Sequence, residues 1–315
     1  MEVFKKMFPK ARDPPKAMLD MQGVLHSDDK NIKKAAIDAY KHRLRDRLIK
    51  PNLEGLQNIK ENLCNKRLKE TKLNVTADWN LEELEVVLNH LKKNASRDPH
   101  GFANEIFKPE VAGIDLKTAL LVLMNKIKQE QHIPEAMKLC NISSIWKRKG
   151  PKNSYESYRG IFRITALRNI LDRLIYNDEY PKIDKYLSDC NVGGRKGRSV
   201  RDNIFVLNTI LNSIRRGNKE AHDAQIYDVS QCFDALWLQE CINALYESCL
   251  TNNKLNLLFL TNISAEVAVK TSTGLSDREN IINIVMQGTV WANMFCVVLL
   301  DRLGKLVYNN PKLLY

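Results

Sequence analysis

The spacing of apolar residues changes along the 315-residue chain, and its first part has the three-to-four-residue spacing of amphipathic helices. Residues 79–94 predict one such helix, and Asn80 with Glu83 has the spacing of a capping box at its start. The apolar face of this helix consists of Leu81, Leu84, Leu88 and Leu91. A second helix is predicted over residues 115–131, with an apolar side formed by Leu120, Met124 and Ile127.

After about residue 140 short strand-like runs alternate with helical patterns. The strand-like runs are residues 141–146, 224–229, 266–270 and 282–286, and the helices are residues 165–180, 199–216 and a segment beginning at Ala235. A hairpin turn is predicted near Ser272, Thr273 and Gly274. These patterns, which show no internal repeat, predict a mixed α/β (α+β) fold.

The length of the chain allows about two domains, and its hydrophobic content is sufficient for a large core. Its charge indicates a polyanionic partner. The chain is 44% hydrophobic and carries a net charge of +12, which favours nucleic acid before an acidic membrane, although a solvated lysine-rich face gives the same total. It has neither an apolar run long enough to span a bilayer nor an N-terminal signal core, so we expect no membrane association and no secretion. Its seven cysteines lack C-x-x-C spacing, which indicates reduced, mostly buried thiols and no structural zinc.

Residues 141–161 predict two strands joined by a basic turn. Lys147, Arg148 and Lys149 lie at one edge of this hairpin, and Arg159 lies on the return strand. Several cations at one point suit a triphosphate, whose oxygens accept from both lysine and guanidinium groups. The alternatives are a solvated basic turn and a nuclear-import segment.

A second basic element is the glycine-rich turn that leads into the helix of residues 199–216. Its cations are Arg195, Lys196, Arg198 and Arg201. Positive side chains at a helix N-terminus oppose the helix dipole, so an external phosphate explains them better than helix stability does. The alternative is an ordinary glycine turn.

Two further segments carry candidate chemistry. Asp228 at the end of a strand could hold a hard cation, whereas Asp234, across Phe233, could be no more than a helix cap. The dipeptide Gln287–Gly288 precedes a helix, and its glycine would let another chain or a base approach the backbone closely. Gln287 could also simply cap that helix.

In this order the motifs resemble those of the reverse transcriptases of non-long-terminal-repeat retrotransposons, over roughly residues 30–315. The segment SYRGI with Arg159 resembles the YRPI signal of that family, and DVSQCFDAL resembles its first catalytic motif. NVGGRKGRS is similar to the family element Q-x-G-F-R-x-G-R-S, with Asn191 and Gly194 in place of the glutamine and the aromatic residue. MQGTVWANMF is similar to P-Q-G-x-x-x-S-P, and its departures from that pattern are Met286, Ala292 and Asn293.

Residues 1–75 are rich in lysine and arginine and helical in pattern, which predicts a basic helical N-terminal extension. For the rest of the chain the resemblance implies a right-hand polymerase fold, with residues 76–220 as a fingers-like part and residues 221–315 as a partial palm. The implied activity is RNA-directed DNA polymerisation by two-metal nucleotidyl transfer, with an RNA template, a DNA primer and deoxynucleoside triphosphates.

The resemblance also implies individual roles. Asp228 would bind two Mg²⁺ ions, assisted by the carbonyl of Val229. Phe233 would lie beneath the deoxyribose as a steric gate, and Asp234 would be structural. The triphosphate and the incoming nucleotide would be bound by Lys147 or Lys149, Arg159, Gln287 and Gly288. The nucleic acid would be bound by Arg195, Lys196, Arg198 and Arg201.

A two-metal site needs a second acidic residue, and the sequence after Gln287 offers only Asp301, inside a helical run. We therefore expect a fragment that stops before its second catalytic motif, without a thumb or an upstream endonuclease, and inactive on its own. The alternatives are a non-catalytic nucleic-acid-binding remnant, a group II intron-like or retron-like reverse transcriptase, and a non-polymerase fold with a structural Asp228. Nuclear and cytoplasmic locations both stay open, as do the oligomeric state and the template.

Overall fold

The computed structural model describes residues 16–44, 77–217, 228–229, 232–248, 252–283 and 285–309. The helices are α1 (Asp29–Leu44), α2 (Leu81–Asn89), α3 (Ile114–Glu130), α4 (Ala166–Tyr186), α5 (Val200–Arg215), α6 (Cys232–Ala235), α7 (Leu238–Glu247), α8 (Asn252–Asn262) and α9 (Val290–Asn309). The strands are β1 (Met18–Leu19), β2 (Leu25–His26), β3 (Leu139–Trp146), β4 (Tyr158–Ile164), β5 (Ile263–Thr271), β6 (Gly274–Leu275) and β7 (Glu279–Asn283). The strand predicted before Asp228 falls on residues 224–227, outside the described residues.

Helices α2 and α3 form where the apolar spacing predicts them. The side chain of Asn80 accepts from the backbone N–H of Glu83, and the Glu83 side chain accepts from the N–H of Asn80, so the capping box is confirmed. Helix α2 ends at Asn89, earlier than the predicted residue 94. In α3 the predicted apolar side is buried, and the helix stops where Gln131 adopts a left-handed conformation with φ of 53°.

The main sheet has the strand order β4-β3-β5-β6. Strand β7 pairs antiparallel with the first part of β5, from Ile263 to Val267. Strands β3 and β4 pair antiparallel from Cys140 opposite Ile164 to Trp146 opposite Tyr158, so the predicted basic hairpin is confirmed. Strand β3 is parallel to β5, and the predicted turn before Gly274 joins β5 to β6. The described residues therefore combine helices with a mixed sheet.

Two hydrophobic cores hold these elements together. The first lies among α2, α3, α4, α7, α8 and α9, and the second lies between α1 and one face of the main sheet. The second core includes Tyr40 of α1 together with Ile142, Phe162 and Val267 of the strands. Helix α1, which the sequence analysis assigns to an N-terminal extension, is thus packed into the folded core.

Some sequence predictions need correction. The helix expected to run on from Ala235 is interrupted, because α6 ends there and α7 begins at Leu238 with an extended Trp237 as its N-cap. The strand expected to end at Met286 ends at Asn283. Among the described cysteines, Cys140 and Cys241 are buried, Cys232 and Cys296 are half-buried and Cys190 is exposed, while Cys64 and Cys249 lie outside the described residues.

Helix α5 begins with the capping box of Ser199 and Asp202 and has the predicted apolar side, but that side is not covered within the described residues. Ile204 is 52% exposed, Leu207 46% and Leu211 40%. As for membranes, the described helices are each too short or too polar to cross a bilayer.

Candidate nucleotide and nucleic-acid site

The turn between β3 and β4 is held by its own hydrogen bonds. The backbone N–H of Lys147 donates to the carbonyl of Ser157 at 2.8 Å, and its Nζ donates to the carbonyl of Glu156 at 2.9 Å. Gly150 has φ of 78°, and a Cβ there would lie 2.5 Å from the Ser157 Oγ. The turn therefore requires glycine at this position for both conformation and space.

The cations of this hairpin lie within electrostatic reach of one another. Burial lowers the pKa of Lys147, and the nearby charges of Arg43, Arg159 and Lys149 lower it further, while Asp234 opposes them. Lys149 and Arg159 are exposed to solvent. Because the neighbouring cations disfavour the charge of Lys147, a phosphate group at this end of the hairpin would relieve the repulsion.

Alternation along β4 extends this basic surface beyond the predicted residues. Arg159 and Arg163 point to the sheet face opposite α1, whereas Tyr158 and Phe162 are buried on the α1 side. Arg163 donates to the Ser143 Oγ at 3.3 Å. The period-two spacing of Arg159 and Arg163 is a signal that sequence reasoning missed.

Arg278 lies at the same sheet face. Its Nη2 is 3.4 Å from the Asn141 Oδ1, and Asn141 pairs with Arg163 in the β3–β4 ladder. Nothing in the sequence around residue 278 points to this position, because β7 and the preceding turn bring it there. Arg278 thus adds a third guanidinium to the basic sheet face.

The dipeptide Gln287–Gly288 lies against the outer edge of β4. The N–H of Phe162 donates to the carbonyl of Gln287 at 2.8 Å. Gly288 has φ of 110°, and a Cβ there would lie 3.1 Å from the Ile161 Cγ2 and 3.2 Å from the Phe162 carbonyl oxygen. The sequence predicts that another segment approaches the backbone at Gly288 closely, and in the structure that segment is β4. Two motifs distant in sequence meet on the strand that carries Arg159.

The segment with the two carboxylates is described in part. Asp228 and Val229 are exposed, and residues 230–231 lie outside the described residues. Phe233 is half-buried and packs against the first core. Asp234 lies within α6 and not at its cap, and its Oδ2 is 3.8 Å from the Nε of Arg43. This ion pair agrees with a structural role for Asp234.

Arg195 is placed differently from the other cations of the glycine-rich turn. It is 6% exposed, and its Nε donates to Asp184 Oδ1 at 2.8 Å. Its Nη1 donates to the carbonyls of Ser188 and Asn191, and its Nη2 donates to the carbonyl of Asp184. The hydrogen bonds of this guanidinium all go to the end of α4 and to the turn that follows it, so we assign Arg195 to the structure of the turn.

The other three predicted cations of this turn are exposed. The Nζ of Lys196 lies 4.9 Å from the centre of the Tyr180 ring, in a cation–π contact. Arg198 pairs with the exposed carboxylate of Asp189, and Arg201 lies in the first turn of α5. All three can reach a polyanion, because an exposed ion pair such as that of Arg198 is weak.

Gly194 of the same turn lies against the start of α9. Its φ is 65°, and an added Cβ would lie 1.8 Å from the Asn293 Nδ2. No side chain fits at position 194 while Asn293 holds its place. Two of the departures from the family pattern, at positions 194 and 293, are thus in direct contact.

The described residues do not fit a two-ion magnesium site. Among them no group of three or more His, Cys, Asp or Glu side chains could hold a metal ion. Asp301 is buried, accepts from the N–H and Oγ of Ser188, and pairs with Lys305 at 2.9 Å, so its carboxylate holds α9 to the turn before residue 189. Asp228 with the Val229 carbonyl offers one side chain where two ions need several oxygen ligands.

Comparison with known proteins gives a partial similarity. No family model matches the chain. Over 121 residues, 38% of the chain, it is 31% identical to a Drosophila melanogaster protein described as a probable RNA-directed DNA polymerase from transposon BS. The matched stretch covers 13% of that protein's length. Part of this chain is therefore similar to a retrotransposon polymerase.

Proposed function

We propose that this chain is part of an RNA-directed DNA polymerase of a non-long-terminal-repeat retrotransposon, with a right-hand fold. Residues 76–220 would supply the fingers and residues 221–315 part of the palm. The observation that carries the proposal is the hydrogen bond from Phe162 to Gln287, which joins the Q-G motif to the basic hairpin. A polymerase needs these groups together because one nucleotide must contact both.

In this proposal Lys147, Lys149 and Arg159 bind the triphosphate, and Gln287 with Gly288 contacts the incoming nucleotide. The clustered positive charge of Lys147, Lys149 and Arg159 supports this role, since triphosphate oxygens accept charge-assisted hydrogen bonds from lysine and arginine. The RNA template and DNA primer would lie along the exposed cations Lys196, Arg198 and Arg201. Arg163 and Arg278 would add their charge on the basic sheet face that Arg159 shares.

Magnesium is expected for the complete enzyme by family, with Asp228 and the Val229 carbonyl as its first ligands. Since the described residues do not complete such a site, the function proposed for them is binding of nucleotide and nucleic acid. Catalysis would need carboxylates besides Asp228.

Titration of a fluorescent deoxynucleoside triphosphate into the protein, with Mg²⁺ in solution, tests the proposal. Each charge-assisted hydrogen bond contributes about 1.5–3 kcal/mol, so Lys147→Ala and Arg159→Ala should each weaken binding about 10- to 100-fold. The matched control is Lys126→Ala, which removes an exposed lysine from α3. Equal affinity in the wild type and both hairpin variants would contradict the proposed nucleotide site.

The second candidate is a nucleic-acid-binding protein without catalysis, which the exposed cations beside α5 favour equally well. Primer extension separates the two. We expect residues 1–315 to bind an RNA–DNA primer-template but not to extend the primer with Mg²⁺, because one carboxylate cannot hold both ions. Extension that is lost in Asp228→Asn would instead establish a polymerase and show that the other ligands lie outside the described residues.

A further inference from the structure

The C-terminal end of α1 is fixed to the basic hairpin by a buried arginine. Arg43 is 6% exposed, and its Nη1 donates to the Tyr158 carbonyl at 3.0 Å. Its Nη2 donates to the Tyr155 carbonyl at 2.7 Å, and its Nε lies 3.8 Å from the Oδ2 of Asp234. One guanidinium therefore joins three segments: α1, the hairpin end and the segment that follows Asp228.

Tyr40, one helical turn earlier, fits against the hairpin by shape. Its hydroxyl is 3.0 Å from the Ser144 Oγ on β3, and the Arg43 guanidinium stacks 4.8 Å from its ring centre. A Cβ on Gly160 would lie 2.5 Å from the Cε1 of Tyr40 and 3.2 Å from the Cγ2 of Ile142. Glycine at 160, where the family signal has proline, is thus required by the space that Tyr40 fills.

We propose that Tyr40 and Arg43 are positioning residues for the nucleotide site, an inference that rests on the proposed function. Arg159 lies between Tyr158, whose carbonyl Arg43 binds, and Gly160, on which Tyr40 packs. The side chain of Arg159 leaves the opposite face of the strand. Helix α1 therefore sets the backbone from which the triphosphate-binding cation projects.

The same contacts fix the distance between the cations and the carboxylate segment. Arg43 forms an ion pair with Asp234, which is adjacent to Phe233 in sequence. The charge of Arg43 also lowers the pKa of Lys147. Without Arg43, the buried side of Asp234 would lose a cation and two hairpin carbonyls would lose their donor. The hairpin and α6 would then lose the link that Arg43 makes between them, and a shift of about 1 Å is enough to impair a site built from both.

The experiment compares Arg43→Met with Lys254→Met. Lys254 is also a buried cation, paired with Asp178 at 2.8 Å and Glu179 at 2.7 Å, but it lies on α8, a helix that carries none of the predicted nucleotide contacts. Both variants should lower the melting temperature. Below that temperature, Arg43→Met should weaken deoxynucleoside triphosphate binding at least about tenfold, and Lys254→Met should change it less than about twofold.

Space-filling variants test the same contact without removing a charge. Gly160→Ala should reproduce the loss of triphosphate affinity by displacing Tyr40, whereas Gly113→Ala should not, since a Cβ there meets nothing within 4 Å. Arg43→Lys, which keeps the charge near Asp234 but not both carbonyl contacts, should restore part of the affinity. Hydrogen exchange should be faster at the Lys147 amide in Arg43→Met than in Lys254→Met.

The outcomes separate the inference from the proposed function. If the wild type binds no triphosphate, or if Lys147→Ala and Arg159→Ala leave its affinity unchanged, the proposed nucleotide site fails. If those variants weaken binding while Arg43→Met and Gly160→Ala behave like their controls, the site stands and the positioning role is overturned. If Arg43→Met stays unfolded, Gly160→Ala and Arg43→Lys decide in the same way.

Discussion

Arg195 and Arg198 lie in one turn, and we expect their loss to have opposite consequences. Arg195→Gln removes a side chain that is 2% exposed, together with an ion pair to Asp184 at 2.8 Å and hydrogen bonds to three carbonyl groups. Removing one partner of such a buried pair costs about 3–5 kcal/mol. Since the Asp184 side chain is 32% exposed and water can replace part of the contact, we take the lower end, about 3 kcal/mol.

Arg198→Gln is the matched control, because its partner Asp189 is 88% exposed and such surface pairs contribute little to stability. For a protein of this size about 1 kcal/mol shifts the melting temperature by roughly 2 °C. Arg195→Gln should therefore melt about 6 °C lower, and Arg198→Gln within about 1 °C of the wild type. Conversely, Arg198→Gln should weaken RNA binding, whereas folded Arg195→Gln should bind RNA like the wild type.

The pH dependence of the melting temperature checks the cause. The hydrogen bond from Arg195 lowers the pKa of Asp184 in the folded protein. The pair thus stabilises the fold above about pH 4, the ordinary aspartate pKa, and this stabilisation is lost as the pH falls through the lowered folded pKa. The difference in melting temperature between the wild type and Arg195→Gln should therefore become smaller as the pH falls through that range. A stable Arg195→Gln that has lost RNA binding would refute this assignment and restore Arg195 to the nucleic-acid surface.

Three further predictions concern binding and strain. RNA affinity should fall steeply with salt, and Lys196→Gln or Arg201→Gln should each flatten the log–log slope by about 0.7; an affinity indifferent to salt would exclude a phosphate-binding surface. Phe233→Val should improve ribonucleoside triphosphate binding relative to the deoxy form by about tenfold if its ring is a steric gate, whereas equal losses for both would identify a core residue. Gly288→Ala should destabilise the fold by at least about 1 kcal/mol because φ is 110° there and β4 is in contact; unchanged melting would show that the Gln287 segment can leave β4.

Patterns of residues close together in the sequence were sufficient to predict several helices and one hairpin. The capping box of α2, the buried side of α3 and the basic hairpin follow from residues close together in the chain. The packing of α1 on the sheet could not be predicted in this way, because it depends on contacts such as that of Tyr40 with Gly160, between segments far apart in sequence. Periodicity predicts that a helix has an apolar side, but not what that side meets.

The candidate site shows the same division. Clusters of lysine and arginine identified the hairpin and the glycine-rich turn, but charge alone did not distinguish the buried Arg195 from the exposed Arg198. That difference arises from Asp184 and from carbonyls that only the folded turn brings together. Arg278 was missed for a related reason, since its neighbour Asn141 lies on β3, far from it in sequence.

The contact between Gly194 and Asn293 has an evolutionary consequence. An aromatic residue at position 194 would occupy the space of the Asn293 amide, so position 194 cannot become larger while Asn293 is kept. Related chains should therefore show correlated substitutions, with glycine at 194 where 293 carries a side-chain amide and a larger residue at 194 only where it does not. The departures at these two positions would then count as a single compensated change in the history of the sequence, and not as two independent signs of decay.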